Sequence, residues 1–334
     1  MQSCKSAEVG FKQDVRHKTQ DEKKGKESIS SESEALSSES ASEGSVLTFG
    51  VFDGVHIAHQ KVISRVVIRA KALGVEGVVI SFDPHPALPI SGKSPPALTT
   101  TAQKIELLES LGVSRVVMED FSEQLSRLLP EEFVRDVLVG KFYARAVVVG
   151  YDCAFGKDRA GDRWLLKDLG EKYGFAVEIV EPYRLNGAIV SSTRIRAAIL
   201  EGDLELAQKL LGRPYSLSGP VVQGKGIGRK IGYATANLRL EEQLLPPPGV
   251  YAVKARVNGH NFGGAMNMGK QPTFGGKEFR AEVHLLDFEG ILYGKSVEVF
   301  FIRKIRDEKT FTSPAELADQ IKKDAAVVRA MFQT

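Results

Sequence analysis

Two histidines, His56 and His59, stand three residues apart in the run GVFDGVHIAH that begins at Gly50. An apolar stretch precedes this glycine-containing turn, and residues with the apolar spacing of a helix follow it. Backbone N–H groups and the helix dipole attract anions at such a helix start. The pattern therefore predicts a phosphate site in which both imidazoles stabilise charge on phosphorus.

The histidine pair also has simpler interpretations. The two residues could cap the helix or lie in the core, or they could bind a metal ion together. Two ligands are too few for zinc unless a cysteine or another histidine lies close by. Taken alone, the pair leaves a functional and a structural role equally open.

A second candidate anion site is the run SSTRIR, residues 191–196, which directly precedes a helical stretch. Its hydroxyl and N–H groups, together with the guanidinium groups of Arg194 and Arg196, suit phosphate oxygens. The alternative is an ordinary Ser/Thr helix cap with two solvated arginines. The presence of two such runs in one α/β region favours the phosphate interpretation.

A third run, GKGIGRKIGYATAN, lies in a region with a different hydrophobic pattern. Its glycines Gly224, Gly226 and Gly228 would let the backbone approach a phosphate closely. Thr235 and Asn237 could then supply oxygen ligands to Mg²⁺. The run is not a P-loop, because no GK[ST] follows the glycines. A mobile glycine hairpin without a ligand is the alternative.

Glu282 stands between the apolar residues Ala281 and Val283 in a predicted strand. A carboxylate in such a place could act as a general base toward a substrate hydroxyl. A glutamate on the solvent face of a strand is the commoner case and stays the alternative.

Two loops are ambiguous in the same way. Asp83, Pro84 and His85 follow a predicted strand, and Phe155 begins a glycine-containing loop that includes Arg159. Either loop could line the site of a second substrate, or it could be no more than a turn.

Composition excludes several classes of protein. The 334 residues carry a formal net charge of only +3, so no polycationic surface for nucleic acid is expected. Cys4 and Cys153 are the only cysteines, which predicts no disulfide framework and fits a reducing compartment. No stretch approaches the roughly 18 apolar residues of a membrane-spanning helix. We therefore expect a cytoplasmic protein without a nucleic-acid or membrane partner.

The chain is predicted to contain a polar leader and two domains. Residues 1–45 are rich in Ser, Glu and Lys and are expected to be disordered. Residues 46–205 alternate β-branched runs with helical stretches, which predicts a Rossmann-like α/β domain with a parallel sheet. Residues 206–334 alternate with period two and contain an Asn-Gly turn at 258–259. They predict a six-stranded antiparallel β-barrel with a terminal helix.

Together these runs resemble the prokaryotic bifunctional riboflavin kinase and FMN adenylyltransferase, or FAD synthetase, family. The matching runs occur in order over nearly all of residues 46–334: GVFDGVHIAHQ, FDPHP, FGKDRAG, SSTRIR, GRPYSLSG, GKGIGRKIGYATAN, PGVYAV, MGKQPTF, EVHLLDF and LYGKSVEVFF. The resemblance implies that the first domain transfers AMP from ATP to FMN and releases pyrophosphate. It implies that the second domain transfers the γ-phosphate of ATP to riboflavin. Riboflavin, FMN and ATP would be the substrates, with Mg²⁺ as cofactor.

The resemblance also implies roles for individual residues. His56 and His59 match the nucleotidyl-transferase histidines. Glu282 matches the catalytic base of the kinase, and Thr235 and Asn237 match its magnesium and ATP residues. The expected ATP-binding residues are Gly50, Phe52, Asp53, Ser191, Ser192, Thr193, Arg196, Gly224, Gly226, Gly228 and Asn237. The expected flavin-binding residues are Asp83, Pro84, His85, Phe155 and Arg159.

Two positions depart from the family pattern. Ala58 stands where the family usually has glycine between the histidines, and its methyl group could crowd an approaching nucleotide. Ala234 stands where proline usually precedes the threonine, so that turn should be less rigid. A kinase with a weakened transferase domain, or a flavin- or nucleotide-binding protein without catalysis, therefore stays open as an alternative.

Overall fold

The computed structural model describes residues 44–83, 94–224, 233–240, 243–273 and 276–332, with the backbone alone for 270–273 and 276–279. Of the predicted disordered leader, all but the last two residues lie outside this part of the chain. The predicted site residues Pro84, His85, Gly226 and Gly228 lie outside it too. No helix in these ranges has the length and apolar character needed to cross a membrane.

The first part of the chain is built around a parallel sheet. In chain order its elements are β1 (Ser45–Phe49), α1 (Ile57–Leu73), β2 (Glu76–Asp83), α2 (Thr101–Glu109), β3 (Arg115–Asp120), α3 (Glu123–Arg127), α4 (Pro130–Glu132), a π-helix (Phe133–Lys141), β4 (Ala144–Gly150), β5 (Ala154–Phe155), a 3₁₀ turn (Lys157–Arg159), β6 (Gly161–Asp162), α5 (Arg163–Tyr173), β7 (Ala176–Val180), β8 (Arg184–Leu185), β9 (Ala188–Ile189), α6 (Ser192–Glu201) and α7 (Leu204–Leu211). The five sheet strands lie in the order β3-β2-β1-β4-β7. The predicted parallel α/β sheet is thus confirmed.

Apolar side chains cover this sheet on both faces. Leu47 of β1 lies in one cluster with Val147 and Leu166, whereas Val46 lies in another with Val66 of α1. A strand buried on both faces is nearly continuous in apolar residues, and the polar Ser45 and Thr48 of β1 are buried as well. This explains why β1 is mostly apolar in sequence. The glycine-containing turn begins directly after it, at Gly50.

One helix differs in type from the prediction. Helical spacing over residues 131–142 predicts an α-helix, but the structure has a short α-helical start followed by the π-helix Phe133–Lys141. The segment contains Val134, Val137, Val139 and Gly140, residues of low α-helical propensity. Burial of Phe133, Val134 and Leu138 determines its conformation instead.

The second part is a closed antiparallel barrel. Its elements are β10 (Ser216–Val222), β11 (Ala236–Leu238), β12 (Gly249–Val257), β13 (His260–Thr273), β14 (Gly276–Leu285), β15 (Ser296–Arg306) and the terminal helix α8 (Pro314–Phe332). The strands lie in the order β10-β11-β14-β13-β12-β15, which confirms the predicted six-stranded barrel. The three-residue strand β11 was too short to be recognised by alternation. The predicted Asn258-Gly259 turn has positive φ at both residues, as a type I′ hairpin requires.

Alternation along the barrel strands separates an inner face from an outer one. Tyr251, Val253 and Met266 belong to the inner cluster, whereas Val250 and Ala252 pack against α8 on the outside. Helix α8 therefore covers only part of the outer surface.

The two parts share one apolar core. The cluster that fills the barrel also contains Leu98, from the loop before α2, and Ile195 and Ile199 of α6. Leu98 is almost fully buried there. A parallel bridge between Ala97 and Gln243 runs alongside this contact.

Candidate functional site

The turn between β1 and α1 brings the two histidines into contact. His56 is the N-cap of α1, and its Nδ1 accepts a hydrogen bond from the backbone N–H of His59 over 3.3 Å. The two imidazole rings stack with centroids 3.5 Å apart. Because Nδ1 of His56 is an acceptor, its neutral ring carries the proton on Nε2. The capping role and the functional role are therefore compatible, since the cap leaves an Nε2–H donor.

Both imidazoles are uncharged at neutral pH. Burial, with a smaller contribution from the positive charge of Arg213, lowers the pKa of His56 to about 4. Burial and the neighbouring His56 lower the pKa of His59 well below its ordinary value. Within the described part of the chain, the buried Nδ1 of His59 has no hydrogen-bond partner. The pair thus offers neutral hydrogen-bonding groups to an anion, one of them unused.

The turn has a strained backbone. Phe52 and Val55 have φ angles of 49° and 38°, which non-glycine residues rarely adopt. The Phe52 ring packs edge-on against His59 with centroids 5.2 Å apart. A Cβ atom at Gly50 would lie 3.3 Å from that ring, so glycine suits this position. Such strain persists only where the surroundings fix the backbone, as is common at functional sites.

Asp53 connects the histidine turn to the SSTRIR run. Its carboxylate forms a 2.5 Å ion pair with Arg196 and accepts the backbone N–H groups of Leu98 and Thr99. Its backbone carbonyl accepts the hydroxyl of Ser192 over 3.0 Å. The N-termini of α1 and α6 therefore meet at Asp53, so the two runs that sequence analysis treated separately lie together.

Other residues of the SSTRIR run have different contacts. Ser191 caps α6 and accepts the N–H of Arg194, while Thr193 is exposed. The guanidinium of Arg194 donates to the carbonyls of Leu185 and Ala188, each over 3.1 Å. Arg194 is thus held by the β8–β9 hairpin, and Arg196 is the arginine that reaches the turn.

The residues predicted to bind flavin in the first part are in varied surroundings. The carboxylate of Asp83 accepts the hydroxyl of Thr101 over 2.7 Å. Phe155 is only 6% exposed and packs against Phe49 and Phe133, which accounts for it as a core residue. Arg159 is exposed in the 3₁₀ turn. Their contact with a flavin remains a prediction.

A buried lysine near these loops escaped sequence analysis. Lys104 of α2 is 7% exposed, and its Nζ lies 3.3 Å from the carbonyl of Val51 and 3.4 Å from that of Phe82. Burial lowers its pKa, against the opposing influence of Asp53 and Asp83. Its position on the helix carries no motif, so only the fold reveals that it lies at the carboxyl ends of β1 and β2.

The structure gives Ala58 a packing role. Ala58 is half-buried and packs against the core that joins the two parts of the chain. Its methyl group therefore has apolar neighbours in the folded protein. Whether it also crowds a nucleotide remains a prediction.

A row of polar residues crosses the outer face of the barrel. Asn237 of β11 lies opposite Glu282 of β14, which in turn lies opposite Asn267 of β13. Side chains directly opposite each other in an antiparallel sheet have Cβ atoms roughly 5 Å apart. Asn267 was missed because no motif marks it, although alternation with the buried Met266 and Met268 does place it on the outer face.

Glu282 is neither fully buried nor freely exposed. Its side chain is 23% exposed and forms a 3.0 Å ion pair with Arg280, two residues earlier on the same face. This geometry holds the carboxylate in place while leaving part of it accessible. A glutamate on the solvent face of the strand, paired with its neighbour Arg280, therefore stays the alternative to a general base.

The glycine and threonine of the third run lie beside this row. A Cβ atom at Gly224 would lie 2.1 Å from the amide nitrogen of Asn237, so a side chain at this position would displace the Asn237 amide. Thr235 is half-buried, two residues before Asn237. At Ala234, where the family usually has proline, the carbonyl lies 2.9 Å from Nδ1 of His284. This contact steadies the turn in the absence of the proline.

A cavity of about 400 Å³ opens between the segment after β15 and the first turns of α8. Phe311 is its one aromatic residue, and Lys309, Thr310, Glu316, Asp319, Gln320 and Lys323 complete its lining. In the adjoining segment, Glu308 lies against the backbone of Gly269, which is paired with Arg280. Gly269 lies two residues after Asn267 on β13, so the cavity is on the same side of the barrel as the polar row.

Two family models match the chain. The FAD synthetase model matches residues 38–194, and the riboflavin kinase model matches residues 211–332. Together they cover both the α/β part and the barrel.

Similar proteins agree with both matches. The bifunctional riboflavin kinase/FMN adenylyltransferase of Haemophilus influenzae is 40% identical over 294 residues, which cover 87% of this chain and 96% of that protein. The protein of the same description from Escherichia coli K12 is 37% identical and covers 88% and 95%.

A solved structure supports the fold. It comes from a Streptococcus pneumoniae protein described as a macrolide-efflux protein, with a TM-score of 0.78 and 34% identity. The match covers 87% of this chain and 95% of the other. Both family models and the sequence relatives agree with the two predicted enzyme activities, and the chain therefore belongs to the bifunctional riboflavin kinase/FMN adenylyltransferase family.

Proposed function

We propose that FAD is formed at the histidine turn and FMN at the polar row on the barrel. On this proposal residues 46–205 form the adenylyltransferase domain and residues 206–334 the kinase domain. The observation that carries the proposal is the meeting of two helix N-termini at Asp53, with neutral imidazoles beside them. Such a place suits a triphosphate, because the N-termini of helices attract anions.

Adenylyl transfer at this turn requires no general base. The FMN phosphate is already an anionic nucleophile, and it attacks the α-phosphorus of ATP while the bond to the pyrophosphate oxygen breaks. Nε2–H of His56 donates to a phosphate oxygen, and His59, in the neutral tautomer with its proton on Nδ1, donates to a second. Ser192 and Arg196 keep the α6 N-terminus against the turn. Catalysis then consists of positioning and hydrogen bonding to developing charge.

Phosphorylation at the barrel requires a base, because its nucleophile is a neutral hydroxyl. Glu282 accepts the proton of the riboflavin 5′-hydroxyl as the oxygen attacks the γ-phosphorus and ADP leaves. Arg280 holds the carboxylate in the orientation that accepts this proton. Asn267, directly opposite Glu282, is placed to hydrogen-bond the same substrate.

The residues around Gly224 fit Mg²⁺ bound with ATP. Thr235 and Asn237 supply oxygen atoms, which Mg²⁺ prefers, and it usually binds to few protein groups together with phosphates and water. Among the described residues, no three His, Cys, Asp or Glu side chains cluster as a metal site, which agrees with a metal that arrives with its nucleotide. When bound, Mg²⁺ would neutralise charge on the phosphates.

The cavity beside α8 is our candidate for the riboflavin ring. Its volume of about 400 Å³ suits a small ligand, and Phe311 offers one aromatic face within an otherwise polar lining. Its place on the side of Gly269 and Arg280 would point the flavin tail toward Glu282.

We also propose a cytoplasmic location. Cys153 is a free thiol, and burial raises its pKa to about 12, so it is unreactive as a nucleophile. A free structural thiol agrees with a reducing compartment.

The proposed function is tested by product analysis. The purified protein is incubated with riboflavin and Mg-ATP, and riboflavin, FMN and FAD are resolved by chromatography over time. FMN should appear first and FAD after it, and supplied FMN should give FAD and pyrophosphate. Accumulation of FMN without FAD would leave the barrel as the one active site.

A further inference from the structure

Arg213 connects the start of the barrel to the histidine turn. It lies between α7 and β10, and its guanidinium donates to the carbonyl oxygen of Gly54 over 2.8 Å and to that of Val55 over 3.3 Å. A further bond of 3.4 Å reaches the carbonyl of Leu211. Gln60 binds the carbonyls of Val55 and Leu211 as well, over 2.9 and 3.0 Å. The turn is thus bonded to the end of α7.

These bonds fall on the most strained part of the turn. Val55 has a φ angle of 38°, which is strained for a β-branched residue, whereas Gly54 adopts its φ of 79° without strain. A β-branched residue such as Val55 rarely adopts a positive φ and keeps it only where its surroundings impose it. The next residue is His56, so the direction of its ring depends on how these two peptide groups are held.

The environment of Arg213 argues against an ordinary ion-pair role. Among the described residues, its hydrogen bonds go to backbone carbonyls and no carboxylate pairs with it. Burial lowers its pKa to about 10, against the opposing charges of Glu298 and Asp53, which do not bond to it, so it stays charged at neutral pH. A buried cation bound to three carbonyls fixes backbone geometry.

We propose that Arg213 is a positioning residue for adenylyl transfer, which holds the Gly54 and Val55 carbonyls so that His56 presents its Nε2–H to the nucleotide. This inference rests on the proposed function of the histidine turn. Arg213 lies within the riboflavin kinase match, residues 211–332, yet it serves the other reaction. A residue at the base of the barrel therefore controls the geometry of the first site.

The test compares Arg213→Met with Arg256→Met. Arg256 is the matched control, because it also joins the two parts, through Glu106 and Glu298, but contacts neither Gly54 nor Val55. FAD formation from FMN and FMN formation from riboflavin are measured on the same preparations. A misplacement of about 1 Å can cost roughly a hundredfold in rate, so Arg213→Met should lower kcat for FAD formation about 10- to 100-fold. FMN formation, and both activities of Arg256→Met, should stay near wild type.

Further variants separate positioning from folding. Arg213→Lys retains one donor and should recover part of the lost kcat, while KM for FMN stays nearly unchanged. Equal loss of both activities in Arg213→Met, with a lower Tm, would overturn the inference in favour of a structural role, as would wild-type FAD formation. His59→Ala in the same series distinguishes the two proposals: if it retains FAD formation, the proposed site itself is wrong.

Discussion

The histidine turn and the polar row of the barrel differ in how much of each site is already bonded. In the turn, the Asp53 carboxylate, the His56 Nδ1 atom and the Arg196 guanidinium all have protein partners. In the row, the Arg280–Glu282 pair leaves the carboxylate partly exposed. In the histidine turn these polar side chains already have protein partners, whereas in the polar row the Glu282 carboxylate is partly exposed to a substrate.

On the proposed assignment of the two sites, this difference follows from their nucleophiles. A phosphate needs donors and no base, so buried neutral imidazoles suffice. A hydroxyl must lose a proton, so the second site needs an accessible carboxylate. The comparison teaches that the protonation state of the incoming group dictates which side chains a phosphoryl-transfer site must leave free.

The largest effect should come from Glu282→Gln, which removes the proposed base. General-base catalysis contributes about 10²–10⁴-fold, so FMN formation should fall by that factor. FAD formation from supplied FMN should be unchanged. The exposed loop residue Glu289, changed to Gln, serves as control and should leave both rates near wild type. Loss of both activities in Glu282→Gln would contradict separate sites.

His59→Ala should have the opposite selectivity. Removal of one preorganised hydrogen-bonding group costs about 10²–10³-fold in kcat, so FAD formation should fall by that amount. FMN formation should persist, because the polar row shares no described contact with His59. Chromatographic assays of both products decide the matter, and an unchanged rate of FAD formation would exclude the phosphate role.

The buried imidazoles should also make stability depend on pH. The pKa of His56 is about 4 in the folded protein and about 6.5 when unfolded, so the unfolded chain binds the proton more tightly. Stability is therefore full above pH 6.5 and falls by about 3 kcal/mol as pH drops toward 4. Urea unfolding of wild type and His56→Gln at pH 7.5 and 4.5 tests this: the variant should lose less, and equal losses would refute it.

The smallest effect should come from Phe311→Ala in the cavity beside α8. An aromatic contact contributes about 1 kcal/mol, so KM for riboflavin should rise about fivefold. KM for ATP and the rate of FAD formation should not change. A rise in KM for ATP instead would place the nucleotide, and not the flavin, in this cavity.

Sequence patterns predicted the elements of the fold because each pattern is local. The apolar run of β1, the i, i+3 spacing of His56 and His59 and the Asn258-Gly259 turn depend on neighbouring residues alone. Their structural outcomes agree with the predictions. Local spacing also placed the histidines at a helix start, from which their stacking follows.

Contacts between distant segments could not be predicted in this way. The Asp53–Arg196 pair joins residues 143 positions apart, and Arg213 lies 158 positions from Val55. Asn267 lies in the polar row only because β13 pairs with β14 in one particular register. No local pattern encodes such pairings, since they arise from how packed elements meet.

Leu98 couples the unfolding of the two halves, because it packs in the core that both share. Because this leucine from the α/β half completes the apolar interior of the barrel, melting of either half would expose the interior of the other to water. The enzyme should therefore unfold in a single cooperative calorimetric transition, and its two catalytic halves are thermodynamically one body.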